Sequence, residues 1–389
     1  MSAAISRIIS FLIAVISFFA GFSTTPRETA YKLKALDTAD GMTLEEKVGQ
    51  LFIVMPETLI GVSEKASLIG SYSAGATAYE AAMGHAIEKY HPGGIVFFYK
   101  NILNEAQIKK YISDLQSASR LPLFIAVDEE GGSVARIGNN PAFSVPTYKS
   151  MAAIGSTGNP VNAYNVGLNI GKYLKKYGFN LDFAPVADVN SNPKNTVIGS
   201  RSFGSDPATV GKMVASAING FHDSGIMTTS KHFPGHGDTT NDTHSGYVSV
   251  TKTWAQMLQT EIVPFKAAIE AGTDLIMTAH ITCKNVSADG LPASLSYKLI
   301  TEKLRGELGF DGVVITDAMN MGAICNNYTS SEAAVAAINA GVDIVLAPYN
   351  YDAAFSGVLA AVKNGTITAK RLNESVVRIL TLKAKYGLL

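Results

Sequence analysis

Short apolar runs bounded by turn residues recur eight times along the chain: Leu51–Met55, Gly94–Phe98, Leu123–Asp128, Leu181–Val186, Ile226–His232, Asp274–His280, Gly312–Asp317 and Val342–Ala347. The segments between them carry apolar residues at helical spacing, over Ala106–Ala118, Val161–Tyr177, Pro207–Asp223, Trp254–Ala271, Ser296–Leu308 and Ser331–Ala340. Tyr351–Lys363 and Ala369–Tyr386 close the chain in the same way. Strands alternating with helices predict a parallel sheet. Runs such as GVVIT and VDIVLA are apolar on both faces, as strands covered by helices must be. Eight such units predict an α/β fold of the single (β/α)8 TIM-barrel type, with a doubly wound open sheet as the alternative. No GxGxxG or GxxxxGK[ST] motif follows an early run, so the nucleotide fingerprints of open sheets are missing. No Pro-rich linker or low-complexity tract interrupts residues 29–389, which read as one domain.

Residues 1–28 follow a different pattern. Arg7 precedes a stretch from Ile8 to Phe22 that is apolar apart from Ser10 and Ser17, the composition of a signal peptide. Ala20, Gly21 and Ser23 suit cleavage, whereas Phe19 and Phe22 suit an uncleaved membrane anchor; either way the chain is expected outside the cytoplasm or attached to the cell envelope.

Across all 389 residues, 47% hydrophobic and 16% charged describes a chain with a large core. The 32 basic and 32 acidic residues cancel, without a Lys/Arg run, which excludes an electrostatic footprint for nucleic acid and favours a small neutral substrate. A monomer is expected. Cys283 and Cys325 lack a CxxC spacing and flanking histidines, so neither a zinc site nor a disulfide framework is indicated, and both are expected to be buried.

In a barrel the chemistry gathers where strands end. Asp128 ends the third run, Lys231 and His232 the fifth, His280 the sixth and Asp317 the seventh, so ionisable groups converge on one face. The segment KHFPGHGDTTNDTHSG, residues 231–246, sets three histidines, two aspartates and three glycines in an elongated loop after the fifth strand. Its His232, His236, Asp238, Asp242 and His244 admit a metal site, a hydrogen-bonded structural loop, or a dyad in which Asp242 orients His244 for proton transfer. Asp317 admits two roles, a nucleophile at the barrel mouth or the N-cap of the next helix.

The motifs MTLEEKVGQLF, GGIVFFYKNI, AVDEEGG, LDFAPVADVN, RSFGSDP, KHFPGHGDTTNDTHS, LIMTAHI, PASLS and GVVITDAMNMGA stand in the order found in glycoside hydrolase family 3, and residues 40–389 resemble its bacterial β-N-acetylglucosaminidase branch. The resemblance implies Asp317 as nucleophile, His244 as general acid/base with Asp242 as its partner, and Asp128, Arg136, Arg201, Lys231 and His232 as sugar-binding residues. It implies no metal and no organic cofactor. Arg201 pairing with Asp188 or Asp206, and Lys231 holding a carboxylate, are the scaffold alternatives for those two cations, and His280 has a weaker tie to the sugar. Ser133 stands where the branch has an arginine, which is expected to alter a support contact beside Asp128 and Arg136. The implied reaction is retaining removal of terminal β-linked N-acetylglucosamine, with peptidoglycan fragments as substrates. Alternatives are a β-glucosidase or a phosphorylase of the same family, a metal-dependent hydrolase, or a non-catalytic wall-binding protein.

Overall fold

The computed structural model describes residues 25–62, 75–239, 243, 246 and 248–389. Most of the predicted signal or anchor segment, and both members of the predicted dyad, Asp242 and His244, lie outside the described residues.

All eight apolar runs form parallel strands: β1 (Phe52–Val54), β2 (Gly94–Phe97), β3 (Phe124–Val127), β4 (Leu181–Asp182), β5 (Met227–Phe233), β6 (Leu275–Thr278), β7 (Val313–Thr316) and β8 (Val345–Leu346). Each lies beside its sequence neighbour, in the order β7-β6-β5-β4-β3-β2-β1-β8. The ring is closed by a parallel bridge between Ile315 and Ile344, which removes the open-sheet alternative. Side chains such as Ile53, Ile95, Ile125, Leu181, Ile276 and Ile315 are fully buried, as a strand covered on both faces requires.

Local signals set the helices. Asn159 and Asp206 accept from backbone N–H groups at the starts of helices Pro160–Tyr177 and Pro207–Ser224. Gly178 (φ 98°) and Gly225 (φ 79°) end them in the left-handed conformation that costs glycine little. Two expectations need correction. The predicted helix 254–271 is two helices, Trp254–Met257 and Val263–Glu270, the second opening at Pro264, whose missing N–H suits a first turn and not a helix interior. The segment predicted over 296–308 folds as a π-helix, Lys298–Glu307.

The last helix, Ala369–Lys385, lies across the N-terminal ends of the strands. Arg371, Ser375 and Arg378 bind Asp343 ahead of β8, Lys383 reaches Gln50 ahead of β1, and Lys385 binds Asp274 ahead of β6. Helix Pro26–Asp40 packs on it. On this face a cleft of about 1300 Å³ is lined by residues including Arg27, His222, Asp311 and Lys385. It opens at the opposite end of the barrel from Asp128 and Asp317, which follow the C-terminal ends of β3 and β7.

Candidate active site

At the C-terminal rim, Asp128 follows β3 directly and the chain then turns back as a hairpin, Glu129–Gly131 against Val134–Ala135. The turn depends on Gly131 (φ 84°) and Gly132 (φ 66°), where a Cβ would stand 2.7 Å from Met151 and 2.9 Å from Ser150 respectively. Glu129 ties the hairpin down, accepting from Ile137 N (2.8 Å), Gly138 N (2.7 Å) and the Tyr173 hydroxyl (2.7 Å). Burial pushes the carboxyls of Glu129 and neighbouring Asp182 above their ordinary range. The hairpin delivers Glu130 and Arg136 to the same side as Asp128. Ser133 is exposed on it, and the Arg136–Asp128 contact stands at 3.3 Å.

Lys231, on β5, is buried and donates to Asp128 Oδ1 at 2.8 Å and to Glu130 Oε1 at 2.6 Å. The scaffold alternative for Lys231, a contact to a carboxylate, is thus present twice. Arg201 pairs with neither Asp188 nor Asp206: its Nε and Nη2 meet Glu130 Oε2 and Oε1 at 2.8 and 2.7 Å, a two-pronged fork. Asp206 instead caps helix Pro207–Ser224, and Asp188 is taken by the histidines. Burial drives the carboxyls of Asp128 and Glu130 upward, but Lys231 with Arg136 outweighs it at Asp128, and Arg201 with Lys231 outweighs it at Glu130. Asp128 ends below the usual carboxylate range and Glu130 at about 2. Burial lowers the Lys231 ammonium and the two carboxylates raise it further, so it stays charged.

His232 follows Lys231, and the peptide between them is cis. Its Nδ1 lies 2.6 Å from Asp188 Oδ2, which fixes the ring and turns Nε2 toward Arg201 Nη2 at 3.4 Å. Asp188 also accepts from His236 N at 2.6 Å. Burial raises the Asp188 carboxyl, but His232 leads the contacts that bring it below its usual value.

Asp317 follows β7, its backbone N–H donating to Thr278 O at 2.9 Å and its Oδ1 accepting from Ala318 N at 2.8 Å. The next helix, Gly322–Cys325, has Met321 at its cap, so Asp317 does not cap it. The half-buried carboxylate stands at the rim, and its charge reaches His236. His280 is buried beneath this turn, its Nδ1 2.8 Å from Ser294 Oγ and its Nε2 3.1 Å from Ala318 O, which makes it a support of the Asp317 loop.

The long loop after β5 is fixed at its base. His236 Nδ1 lies 2.9 Å from Thr239 Oγ1 and its Nε2 3.3 Å from Thr243 Oγ1, while Thr243 O accepts from Ala323 N at 3.1 Å. Thr243, between Asp242 and His244 in sequence, is thus buried against the short helix Gly322–Cys325. Among the described residues, no group of three or more His, Cys, Asp or Glu is arranged around a common point to hold a metal ion. Of the two cysteines, Cys283 is buried, but Cys325 is partly exposed, against expectation.

Sequence reasoning passed over Glu130. Three consecutive acids, Asp128 to Glu130, at the end of an apolar strand are a signal in themselves, since buried acids need buried cations and Lys231 is the cation of β5.

Comparisons with known proteins agree with the barrel fold. A β-hexosaminidase A of Pseudoalteromonas piscicida is 36% identical over 369 residues, covering 88% of this chain and 61% of that protein. The solved structure of a glycoside hydrolase family 3 β-N-acetylglucosaminidase from Paenibacillus sp. str. FPU-7 superposes with a TM-score of 0.80 at 38% identity, over 90% of this chain and 63% of that one. A β-glucoside phosphorylase superposes with a TM-score of 0.80 at 26% identity, over 94% and 63%. The chain thus spans about three fifths of the length of these relatives. With residues 43–382 matching the glycosyl hydrolase family 3 N-terminal domain, the chain belongs to that family.

Proposed function

We propose that this chain is a retaining glycoside hydrolase that removes non-reducing terminal β-linked N-acetylglucosamine, with fragments of peptidoglycan as its natural substrates after export. The observation that carries the reading is the Asp128 carboxylate, in contact with Lys231 and Arg136 on the same strand-end rim that bears Asp317. An anion of this kind accepts hydrogen bonds from sugar hydroxyls, and Arg136, Arg201, Lys231 and His232 complete the polar wall around it.

In this mechanism the Asp317 carboxylate attacks the anomeric carbon through an oxocarbenium-like state, and the His244 imidazolium gives its proton to the departing glycosidic oxygen. Asp242 accepts from the other ring nitrogen and keeps His244 oriented. The neutral imidazole then takes a proton from water, whose oxygen attacks the anomeric carbon and releases Asp317. Two inversions give net retention, and no step needs a metal or organic cofactor.

A phosphorylase is the second reading, favoured by the likeness to the β-glucoside phosphorylase. An imidazole acid/base leaves no second carboxylate to repel a phosphate acceptor. The test follows the anomeric signal of the first-formed product by NMR, with and without inorganic phosphate, on aryl β-N-acetylglucosaminide and aryl β-glucoside. β-Configured N-acetylglucosamine formed without phosphate supports the hydrolase. Glycosyl phosphate formed only with phosphate supports the phosphorylase, and preference for the glucoside supports a β-glucosidase.

A further inference from the structure

We infer that Glu130 is a positioning residue for sugar recognition: by binding Lys231 and Arg201 together, it keeps the oxygens of Asp128 available to substrate hydroxyls. The inference rests on the proposed glycosidase reading and assigns a role to a side chain that is 1% exposed and so does not itself meet the sugar.

Two carboxylates and three cations meet here. Asp128 has contacts from Lys231 at 2.8 Å and Arg136 at 3.3 Å. Glu130 has Lys231 at 2.6 Å and the Arg201 fork at 2.7 and 2.8 Å. Lys231 thus bridges an acid that is 16% exposed and one that is not, while Arg201 is spent on the buried one. A carboxylate offers about four acceptor positions. With Glu130 charged, the described residues occupy two at Asp128 through single contacts, and the rest are open to a ligand as far as those residues go.

Without the Glu130 charge, buried Lys231 and half-buried Arg201 are left with Asp128 as the nearest carboxylate that is not already held by histidines. Both would turn toward it, filling positions that the sugar needs. The Arg201 plane would also shift from His232 Nε2, now 3.4 Å away. A long-range structural role predicts lost stability instead, and a direct catalytic role predicts lost turnover. The arrangement here predicts weakened sugar binding that passes through Asp128.

The experiment is a double-mutant cycle in the full chain, with Glu130→Gln, Asp128→Asn and both, assayed on a panel of aryl β-glycosides and read on whichever the wild type cleaves best. Glu130→Gln is expected to raise KM about tenfold with kcat reduced less than about threefold, the pattern of lost ground-state binding. In the Asp128→Asn background the same change is expected to cost less than about threefold in kcat/KM, because the group it protects is gone. Glu130→Asp, which restores the charge, is expected to recover part of the KM. Losses that multiply independently in both backgrounds, or a fall in kcat at unchanged KM, would overturn the inference. Should the wild type prefer a glycoside without the N-acetyl group, the substrate proposal fails while the cycle still decides the role of Glu130; inactivity on the whole panel overturns both.

Discussion

Lys383 offers a quantitative test of how the barrel is sealed. Its side chain is fully buried beneath the strands, with Nζ 2.7 Å from Gln50 Oε1 and 4.9 Å from the centre of the Phe124 ring. Burial pushes its pKa down to about 7, against an ordinary value of 10.5. A folded-state pKa below the unfolded one means that stability is fullest above the unfolded value and is lost as pH falls toward the folded value, here from 10.5 to about 7, with the cost constant below that. At about 1.36 kcal/mol per unit, that loss between roughly pH 9.5 and 6.5 is on the order of 3 kcal/mol. Lys383→Met keeps most of the volume and removes the titration, while stranding Gln50 Oε1 at a cost of about 1–3 kcal/mol. The variant should therefore be near or below wild-type stability at the alkaline end and gain relative to it as the solution becomes neutral. Urea unfolding of both proteins across this range reads the difference, and other titrating groups cancel in the subtraction. A difference that stays constant within about 0.5 kcal/mol would refute the reasoning. Activity on glycosides should be unchanged, since this residue sits at the end of the barrel opposite Asp128.

Two further outcomes follow from the same accounting of buried charge, and a third from the loop after β5. Asp343, fully buried among Arg305, Arg371 and Arg378, is expected to cost about 3–5 kcal/mol when changed to Asn, because three arginines lose their counter-charge; chemical denaturation measures it. The carboxyls of Asp128, Glu130, Asp188, Asp274 and Asp343 all lie below their ordinary values, so their contribution is present above about pH 4 and lost as pH falls through the folded values. Glu129 and Asp182, shifted upward, act in the opposite sense and lose their contribution as pH rises. Acid unfolding followed by circular dichroism should therefore begin below about pH 4, and a midpoint near neutrality would contradict this balance. Thr243→Ala removes the contact to His236 and is expected to lower kcat about three- to tenfold with little change in melting temperature; an unchanged kcat would show that this anchor does not matter to turnover.

The barrel was legible because its signal is local. Runs such as Val313–Thr316 are apolar on both faces and end in one polar residue, and no long-range knowledge is needed to see that these ends share a rim. Partners of buried charges were not legible, because they are chosen by three-dimensional proximity across many residues. Arg201 finds Glu130 seventy-one positions away, past both Asp188 and Asp206, since the hairpin that follows Asp128 swings Glu130 inward. The same holds for Lys383 and Gln50, and for Asp343 with the arginines of the last helix. Apolar spacing in Ala369–Lys385 shows an amphipathic helix and cannot say which end of the barrel it covers. The split at Pro264 was readable from the proline itself. For Asp242 and His244 the sequence motif is the source of their assignment; of the three, Thr243 is the described residue, in contact with His236 and Ala323.

The most direct test of the central claim is release of nitrophenol from aryl β-N-acetylglucosaminide by the wild type, Asp317→Ala and His244→Ala, with and without azide. The account predicts an Asp317→Ala protein without hydrolytic activity, which azide restores as a glycosyl azide of inverted configuration. It also predicts a His244→Ala protein that keeps the activated substrate and loses the natural disaccharide. An Asp317→Ala protein with wild-type turnover, or a His244→Ala protein equal to wild type on both substrates, would contradict it.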